Sequence, residues 1–179
     1  MRKVTTFVAF LVLAVVAAGA FGVLHDQISY TVSNEYFTKF KFLQFRLLDT
    51  GVPERIRVAE VGFLASWWMG VPLGVLTGVF GFIHSSPAQM RKALLWSLLV
   101  IIPFTLVFAL GGLLYGFSQT AELDLANYSG WFIPPNLQHP RSFICVGYMH
   151  NSAYLGGLAA IPVAWLFHFL FRRYAASEA

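Results

Sequence analysis

Charged side chains are scarce in this chain. Of its 179 residues, 11% are charged and 58% are hydrophobic, whereas a soluble domain has about a quarter charged residues and less than half apolar ones. So many apolar side chains need lipid around them to be hidden from water. The composition excludes an ordinary soluble domain and predicts an integral membrane protein whose main partner is the lipid bilayer.

Cysteine and the common catalytic motifs are also rare or missing. A single cysteine, Cys145, excludes an intramolecular disulfide and a cysteine-rich zinc site. The sequence has no Gly-x-Ser-x-Gly turn of the hydrolases, and its glycines lie mostly within apolar runs rather than in a phosphate-binding loop. These absences favour a non-enzymatic protein.

The basic residues do not indicate nucleic-acid binding. The formal charge is +4, but the lysines and arginines lie at the ends of apolar runs and not on one polar face. We therefore expect no nucleic-acid partner.

Four apolar runs are long enough to cross a membrane: residues 4–24, 58–83, 93–117 and 143–171. A hydrocarbon core of about 30 Å is crossed by roughly 20 helical residues, and backbone in lipid must satisfy its own hydrogen bonds. We predict an all-α membrane protein, a single bundle of four transmembrane helices spanning residues 1–179. Its two extracytoplasmic loops, about residues 25–57 and 118–142, are expected to form an ordered outer cap.

Basic residues also predict the orientation. With the N terminus inside, the cytoplasmic segments carry six basic residues against one acidic residue: Arg2, Lys3, Arg91, Lys92, Arg172 and Arg173 against Glu178. The outer loops carry nearly equal numbers of basic and acidic residues. Because cytoplasmic loops are enriched in lysine and arginine, we predict that both termini lie in the cytoplasm.

The first run has a second interpretation as a signal peptide. Arg2 and Lys3, the apolar run and the triplet Ala18-Gly19-Ala20 resemble a signal with a small-residue cleavage site. The run continues to Leu24, beyond the usual signal core of about 7–15 residues. We expect an uncleaved span, whereas cleavage would leave three spans.

The first outer loop contains conflicting patterns. Residues 28–32 alternate between apolar and hydroxyl side chains, which is typical of a short strand. Residues 38–42 also alternate, but a helix lying in the membrane interface is favoured there. One face of that helix would carry Tyr36, Phe37, Phe40, Leu43 and Leu47. The second outer loop, which is rich in proline and aromatic residues, is predicted to be irregular.

Small residues recur at every fourth position in two of the spans. The second span carries Gly62, Ser66, Gly70, Gly74 and Gly78, and the fourth carries Ser152, Gly156, Ala160 and Ala164. Because small residues let helix backbones approach closely in lipid, we predict that the second and fourth helices pack together. The alternative is a surface for a second copy of the chain or for another membrane protein. Internal prolines at positions 72, 103 and 162 are expected to bend their helices.

Ionisable residues near the outer membrane edge are candidate site residues. His25 and Asp26 leave the first span, Glu60 enters the second and His150 enters the fourth, so the topology places them at a similar level. Imidazole and carboxylate groups suit zinc or another divalent transition metal. We predict that these four residues bind a metal ion or a partner subunit, with Arg57 as the local partner of Glu60. The competing interpretation is that they cap helices or extend to the interface.

A b-type haem is an alternative function, since haem binds between two histidines on facing helices. His25 and His150 would form an outer pair, and His84 and His168 an inner pair. His150 and His168 are separated by about 27 Å along a helix, which places both near membrane edges and not in the core.

A small oligomeric transporter is a further alternative. A transport path requires polar residues through the depth of the spans. The middles of the four runs offer little beyond Thr77, Ser97 and Thr105. We therefore expect no hydrophilic path within one chain.

One segment, HDQISYTVSNEYFTKFKF at residues 25–42, resembles an uncharacterised bacterial family of small membrane proteins. The similarity extends to FLASWWMG at residues 63–70 and to HNSAYLGG at residues 150–157. The resemblance implies a multi-pass protein of the bacterial inner (cytoplasmic) membrane. It implies no activity, ligand or functional residue.

Overall fold

Four long helices dominate the structure, a computed structural model that describes residues 2–177 and the side chains of residues 2–175. The helices are Lys3–Val32, Glu54–Ile83, Pro87–Gln119 and Pro140–Ser177. Each is long and apolar enough to cross a membrane. The prediction of an all-α protein with four membrane-spanning helices is confirmed, and each helix is longer than its apolar run.

Local sequence explains where the helices begin. The Ser86 hydroxyl accepts a hydrogen bond of 3.2 Å from the backbone N–H of Gln89, and Pro87 follows in the first turn of the third helix. Pro140 begins the fourth helix and Pro53 directly precedes the second. Proline is accommodated there because its missing N–H would have no partner within the helix.

The internal prolines have unequal effects. The second helix tightens into a 3-10 turn at Trp67–Met69, shortly before Pro72. The third and fourth helices remain helical through Pro103 and Pro162. A break in regular helix therefore accompanies one of the three prolines.

Residues 28–32 are helical, so the predicted strand is wrong. They form the end of Lys3–Val32. The Thr31 hydroxyl donates to the Gln27 carbonyl at 2.9 Å, and the Ser29 hydroxyl donates to the Asp26 carbonyl at 3.2 Å. The hydroxyl groups that created the alternating pattern are thus satisfied by the helix's own backbone.

A short helical segment follows the first long helix. It consists of Asn34–Tyr36, a π-helical turn at Phe37–Lys41, and Phe42–Gln44. The prediction that residues 38–42 form a helix and not a strand is confirmed. The prediction of which apolar side chains share its buried face is only partly right. Phe42 is buried and Leu43 is 58% exposed, because the wider π turn rotates the side chains that follow it.

The long helices pack mainly as two pairs, the first with the second and the third with the fourth. A Cβ atom added to Gly62 would lie 2.4 Å from the Gly22 carbonyl oxygen, and one added to Gly112 would lie 2.0 Å from the Ser152 hydroxyl. The small residues of the second and fourth helices therefore face the first and third. The second and fourth helices do contact each other, for example where the Trp165 indole donates to the Leu76 carbonyl at 2.7 Å. The prediction that they pack through their small residues is wrong, because each neighbour along the chain offers small residues of its own.

The bundle has two unlike ends. The chain segments 33–53 and 120–139 lie at one end, which we call the loop end. The turn at residues 84–86 lies at the other end, called the terminal end, where the Lys3 ammonium donates to the Phe82 carbonyl at 3.2 Å. Between the two helix pairs, the interior near the loop end remains partly unfilled.

Candidate metal centre

Three of the four predicted ligands meet at the loop end. The Nδ1 atom of His25 lies 3.0 Å from Oδ1 of Asp26, and the same oxygen lies 3.8 Å from Nε2 of His150. One possible ligand atom from each residue lies within 4.8 Å of the other two. The first helix supplies His25 and Asp26, and the fourth helix supplies His150.

This group is buried and incompletely hydrogen-bonded. The side chains of His25 and Asp26 are each 4% exposed and that of His150 is 12% exposed. The buried atoms Nε2 of His25, Oδ2 of Asp26 and Nε2 of His150 have no hydrogen-bond partner. Buried polar atoms are normally paired, so the protein itself satisfies this group only in part. The side chains do not extend to the interface.

The group also has nearly the dimensions of a metal site. A tetrahedral metal at about 2.1 Å from its ligands separates those ligands by about 3.4 Å. The separations of 3.0 Å from His25 Nδ1 and 3.8 Å from His150 Nε2 to Asp26 Oδ1 bracket this value. Two imidazoles and one carboxylate suit zinc and similar divalent ions, and three protein ligands leave a fourth coordination position open.

Glu60 does not join this group. Its side chain is exposed on the second helix, whereas Gly62 of the same helix packs against the first helix. Two residues correspond to about 200° of rotation around a helix, so Glu60 lies on the opposite side from Gly62. The Arg57 guanidinium donates to the Leu47 carbonyl at 3.2 Å and lies over the Phe42 ring.

Glu35 connects the two loops beside the group. Its carboxylate accepts hydrogen bonds from the backbone N–H groups of Gln138 at 3.0 Å and His139 at 2.7 Å, and it pairs with Lys39. Burial acts to raise the pKa of Glu35, but these hydrogen bonds outweigh it and lower the pKa to about 2. The adjacent Tyr36 ring stacks on the His150 imidazole with 4.9 Å between centroids. Glu35 thereby helps to hold the aromatic wall of the site.

Lys41 is a site residue that the sequence analysis did not select. It lines the same cavity as Asp26 and His150, and its ammonium lies 4.8 Å from the centre of the Phe40 ring. Burial lowers the pKa of Lys41, and the negative charge of Asp26 partly opposes that shift. A spacing of four residues from Phe37, one helical turn, could have selected Lys41. The π turn at Phe37–Lys41 changes which side chains face the bundle, however, and the sequence does not reveal that turn.

A cavity of about 140 Å³ extends from the group into the bundle. His25, Asp26, Lys41 and His150 line its loop-end part, and its other walls are mainly apolar and come from all four long helices. Two of the lining residues, Ala14 and Leu98, also belong to a cluster of buried apolar residues with Phe10, Met90 and Leu94.

His84 and His168 form a second histidine pair at the terminal end. Nε2 of His84 lies 3.0 Å from Nδ1 of His168, and the two side chains are 1% and 0% exposed. Burial, with nearby Arg172 and Lys3, lowers the pKa of His84. A haem iron binds one nitrogen on each face of its ring, so haem does not fit between imidazoles that are directly hydrogen-bonded. The two helices would have to move apart first.

Comparison with protein-family models, curated proteins and solved structures found no match to this chain.

Proposed function

We propose that this membrane protein binds a divalent transition metal through His25, Asp26 and His150. The observation that carries the proposal is the convergence of these three buried side chains, each of which offers a possible ligand atom within 4.8 Å of the other two. Each side chain also has a buried nitrogen or oxygen atom without a hydrogen-bond partner, and leaving such an atom unsatisfied costs about 1–3 kcal/mol. We infer a non-enzymatic role, as a metal-binding or accessory subunit.

We also propose a location in the bacterial inner membrane with both termini in the cytoplasm. The support is the excess of basic residues at the terminal end, with Lys3, Arg91, Lys92 and Arg172 among them, because lysine and arginine favour the cytoplasmic side. In this orientation the metal centre lies near the extracytoplasmic surface. The two connected loops then form a cap above it, and the ion would be taken from outside the cytoplasm.

Cobalt binding to purified protein tests the metal proposal. Protein stripped with a chelator and titrated with Co²⁺ should bind one ion per chain and develop the visible absorption of tetrahedral cobalt. The variant His150→Ala should lose this signal, while His168→Ala, a matched change at the other end of the bundle, should keep it.

Two results would contradict the proposal. One is wild-type protein that binds no cobalt or zinc while remaining monodisperse. The other is equal loss of binding in both histidine variants. A Soret band in the purified protein would instead support the haem alternative.

A further inference from the structure

The cavity below the metal centre is deep compared with its volume. On the fourth helix its lining runs from His150 to Ala160, and on the first helix from Asp26 to Ala14. At 1.5 Å per helical residue these stretches span about 15–18 Å. A volume of about 140 Å³ distributed over that depth describes a narrow channel. A linear chain fits such a channel better than a ring system does.

Two threonines in the deeper part of this channel have no free hydroxyl group, whereas Ser66 lines the channel nearer the loop end, opposite Gly22. The hydroxyl of Thr77 donates to the Leu73 carbonyl at 2.7 Å, and that of Thr105 donates to the Ile101 carbonyl at 2.9 Å. Both hydroxyl groups are therefore occupied by their own helices. The deep part of the channel suits a hydrocarbon occupant, since apolar cavities of this size take up apolar ligands and not water.

The loop-end part of the channel has the opposite character. His25, Asp26 and His150, each of which has an unpaired buried atom, line it together with Lys41. With a divalent ion bound, the single carboxylate of Asp26 does not balance the charges of the ion and of Lys41. A ligand that completes the site is therefore expected to carry a negative charge and an oxygen donor.

We propose that the channel binds a medium-chain fatty acid, with its hydrocarbon chain between the helix pairs and its carboxylate beside Lys41 and the metal ion. The proposal rests on the proposed function in one respect, which is that one carboxylate oxygen occupies the open coordination position of the metal. The chain itself is held by the apolar walls. Binding to metal-free protein is therefore expected to be weaker but still measurable, through Lys41.

Photochemical labelling tests this inference in lipid nanodiscs. Dodecanoate carrying a diazirine at its methyl end should label the deep channel wall, at or near Leu98, Ile101 and Ile102, whose helix contributes to the cavity. Unlabelled dodecanoate should compete, and dodecanol, which has the same chain without the charge, should compete at least tenfold less well.

Two variants separate specific binding from labelling by bulk lipid. Ala17→Phe places a large ring in the channel, and Ala20→Phe places the same ring on an exposed position of the same helix. The first should abolish labelling of the deep wall and the second should preserve it. Lys41→Met should weaken labelling in both metal-free and metal-loaded protein.

The outcomes distinguish this inference from the metal proposal. Labelling that is lost in Ala17→Phe, in a protein whose wild type binds no cobalt, would support the channel and reject the metal centre. Labelling that is unchanged by Ala17→Phe, or equal competition by dodecanol, would overturn the fatty-acid assignment whatever the metal result. Monodisperse elution and a thermal unfolding transition like that of the wild type check that Ala17→Phe is folded.

Discussion

The two ends of the bundle each bury a pair of histidines, but the pairs differ in how they are satisfied. At the terminal end, Nε2 of His84 and Nδ1 of His168 share one hydrogen bond of 3.0 Å, and Nε2 of His168 has no partner. At the loop end, the rings of His25 and His150 lie edge to face, with centroids 4.5 Å apart, and share the carboxylate of Asp26. The terminal pair is joined by one direct bond, whereas the loop-end pair is joined through a carboxylate.

This difference shows that proximity of two histidines does not by itself make a metal site. A direct hydrogen bond between the imidazoles occupies one nitrogen of each ring, so those two nitrogens cannot bind the same metal ion. Asp26 adds a carboxylate that can balance the charge of a cation, and its Oδ1 lies within 3.8 Å of a nitrogen of each loop-end histidine. The cavity beside the loop-end pair supplies room for a ligand, whereas His84 and His168 are fully enclosed.

The largest effect is expected from removing the charge that distinguishes the two ends. Asp26→Asn retains the shape of the side chain but removes a negatively charged ligand. Losing a residue that only supports a ligand lowers metal affinity by up to ~100-fold, so losing this ligand should lower it further. Isothermal titration with zinc would measure the change. His168→Asn is the matched change at the terminal end. A similar loss of zinc affinity in that variant would show that the two histidine pairs do not differ in metal binding.

A smaller loss of stability is expected when the loop-end support is removed. Glu35→Gln weakens the hydrogen bonds to Gln138 and His139 and should destabilise the protein by about 1–2 kcal/mol at pH 7. Because folding lowers the Glu35 pKa from 4.5 to about 2, the wild-type carboxylate contributes fully above pH 4.5 and loses its contribution as pH falls toward 2.

Thermal unfolding in detergent at pH 7 and pH 3 would measure this contribution. The difference between wild type and Glu35→Gln should be smaller at pH 3. A difference that stays constant between the two pH values would show that the Glu35 charge does not stabilise the loops.

At the terminal end, a cost of about 1 kcal/mol is expected from breaking the histidine pair. His84→Leu leaves both nitrogens of His168 without a partner, whereas the double variant His84→Leu, His168→Phe removes both polar groups and should recover most of the loss. Denaturant unfolding of the four proteins in the cycle measures the coupling between the residues. A double variant as unstable as the sum of the single variants would show that the pair contributes no coupling.

The same pair gives the terminal end a dependence on pH. Burial holds the pKa of His84 below its ordinary value of 6.5, so its contribution is complete above pH 6.5 and declines as pH falls below that value. His84→Leu should therefore flatten the loss of stability between pH 6.5 and pH 5. An unchanged pH profile in this variant would show that another group titrates.

The smallest effect is expected at Glu60, on the exposed side of the second helix. Glu60→Gln should change metal affinity less than twofold and stability by no more than about 0.5 kcal/mol. Titration of the variant with zinc provides the measurement. A loss comparable to that of Asp26→Asn would place Glu60 among the ligands and would require the second helix to rotate.

Local patterns predicted the helices well and their contacts poorly. The long apolar runs identified all four spans, because lipid leaves a long apolar segment no alternative to helix. The hydroxyl groups of Ser29 and Thr31 imitated a strand, since alternation on a short segment does not reveal whether those groups bond to their own helix. The small-residue stripes predicted close packing correctly but not the partner, because several helices here carry such stripes.

The candidate site was predicted only in part, because position along a helix gives the depth of a residue but not its direction around the helix. His25, Asp26 and His150 were selected from their depth in the membrane, which follows from position along each helix. Glu60 was selected by the same criterion, although its direction around the helix excludes it. Lys41 was missed because it lies in the π turn at Phe37–Lys41, where regular helical spacing does not predict the direction of a side chain.

Sequence alone determined that lipid surrounds the protein, that it has four long helices, and at which depth along those helices its ionisable groups lie. These features depend on hydrophobicity and on length counted along the chain. Only the tertiary structure decided which helices pair, which histidines touch and where a cavity remains. Those features depend on the rotation of each helix about its axis, and side-chain packing between helices sets that rotation.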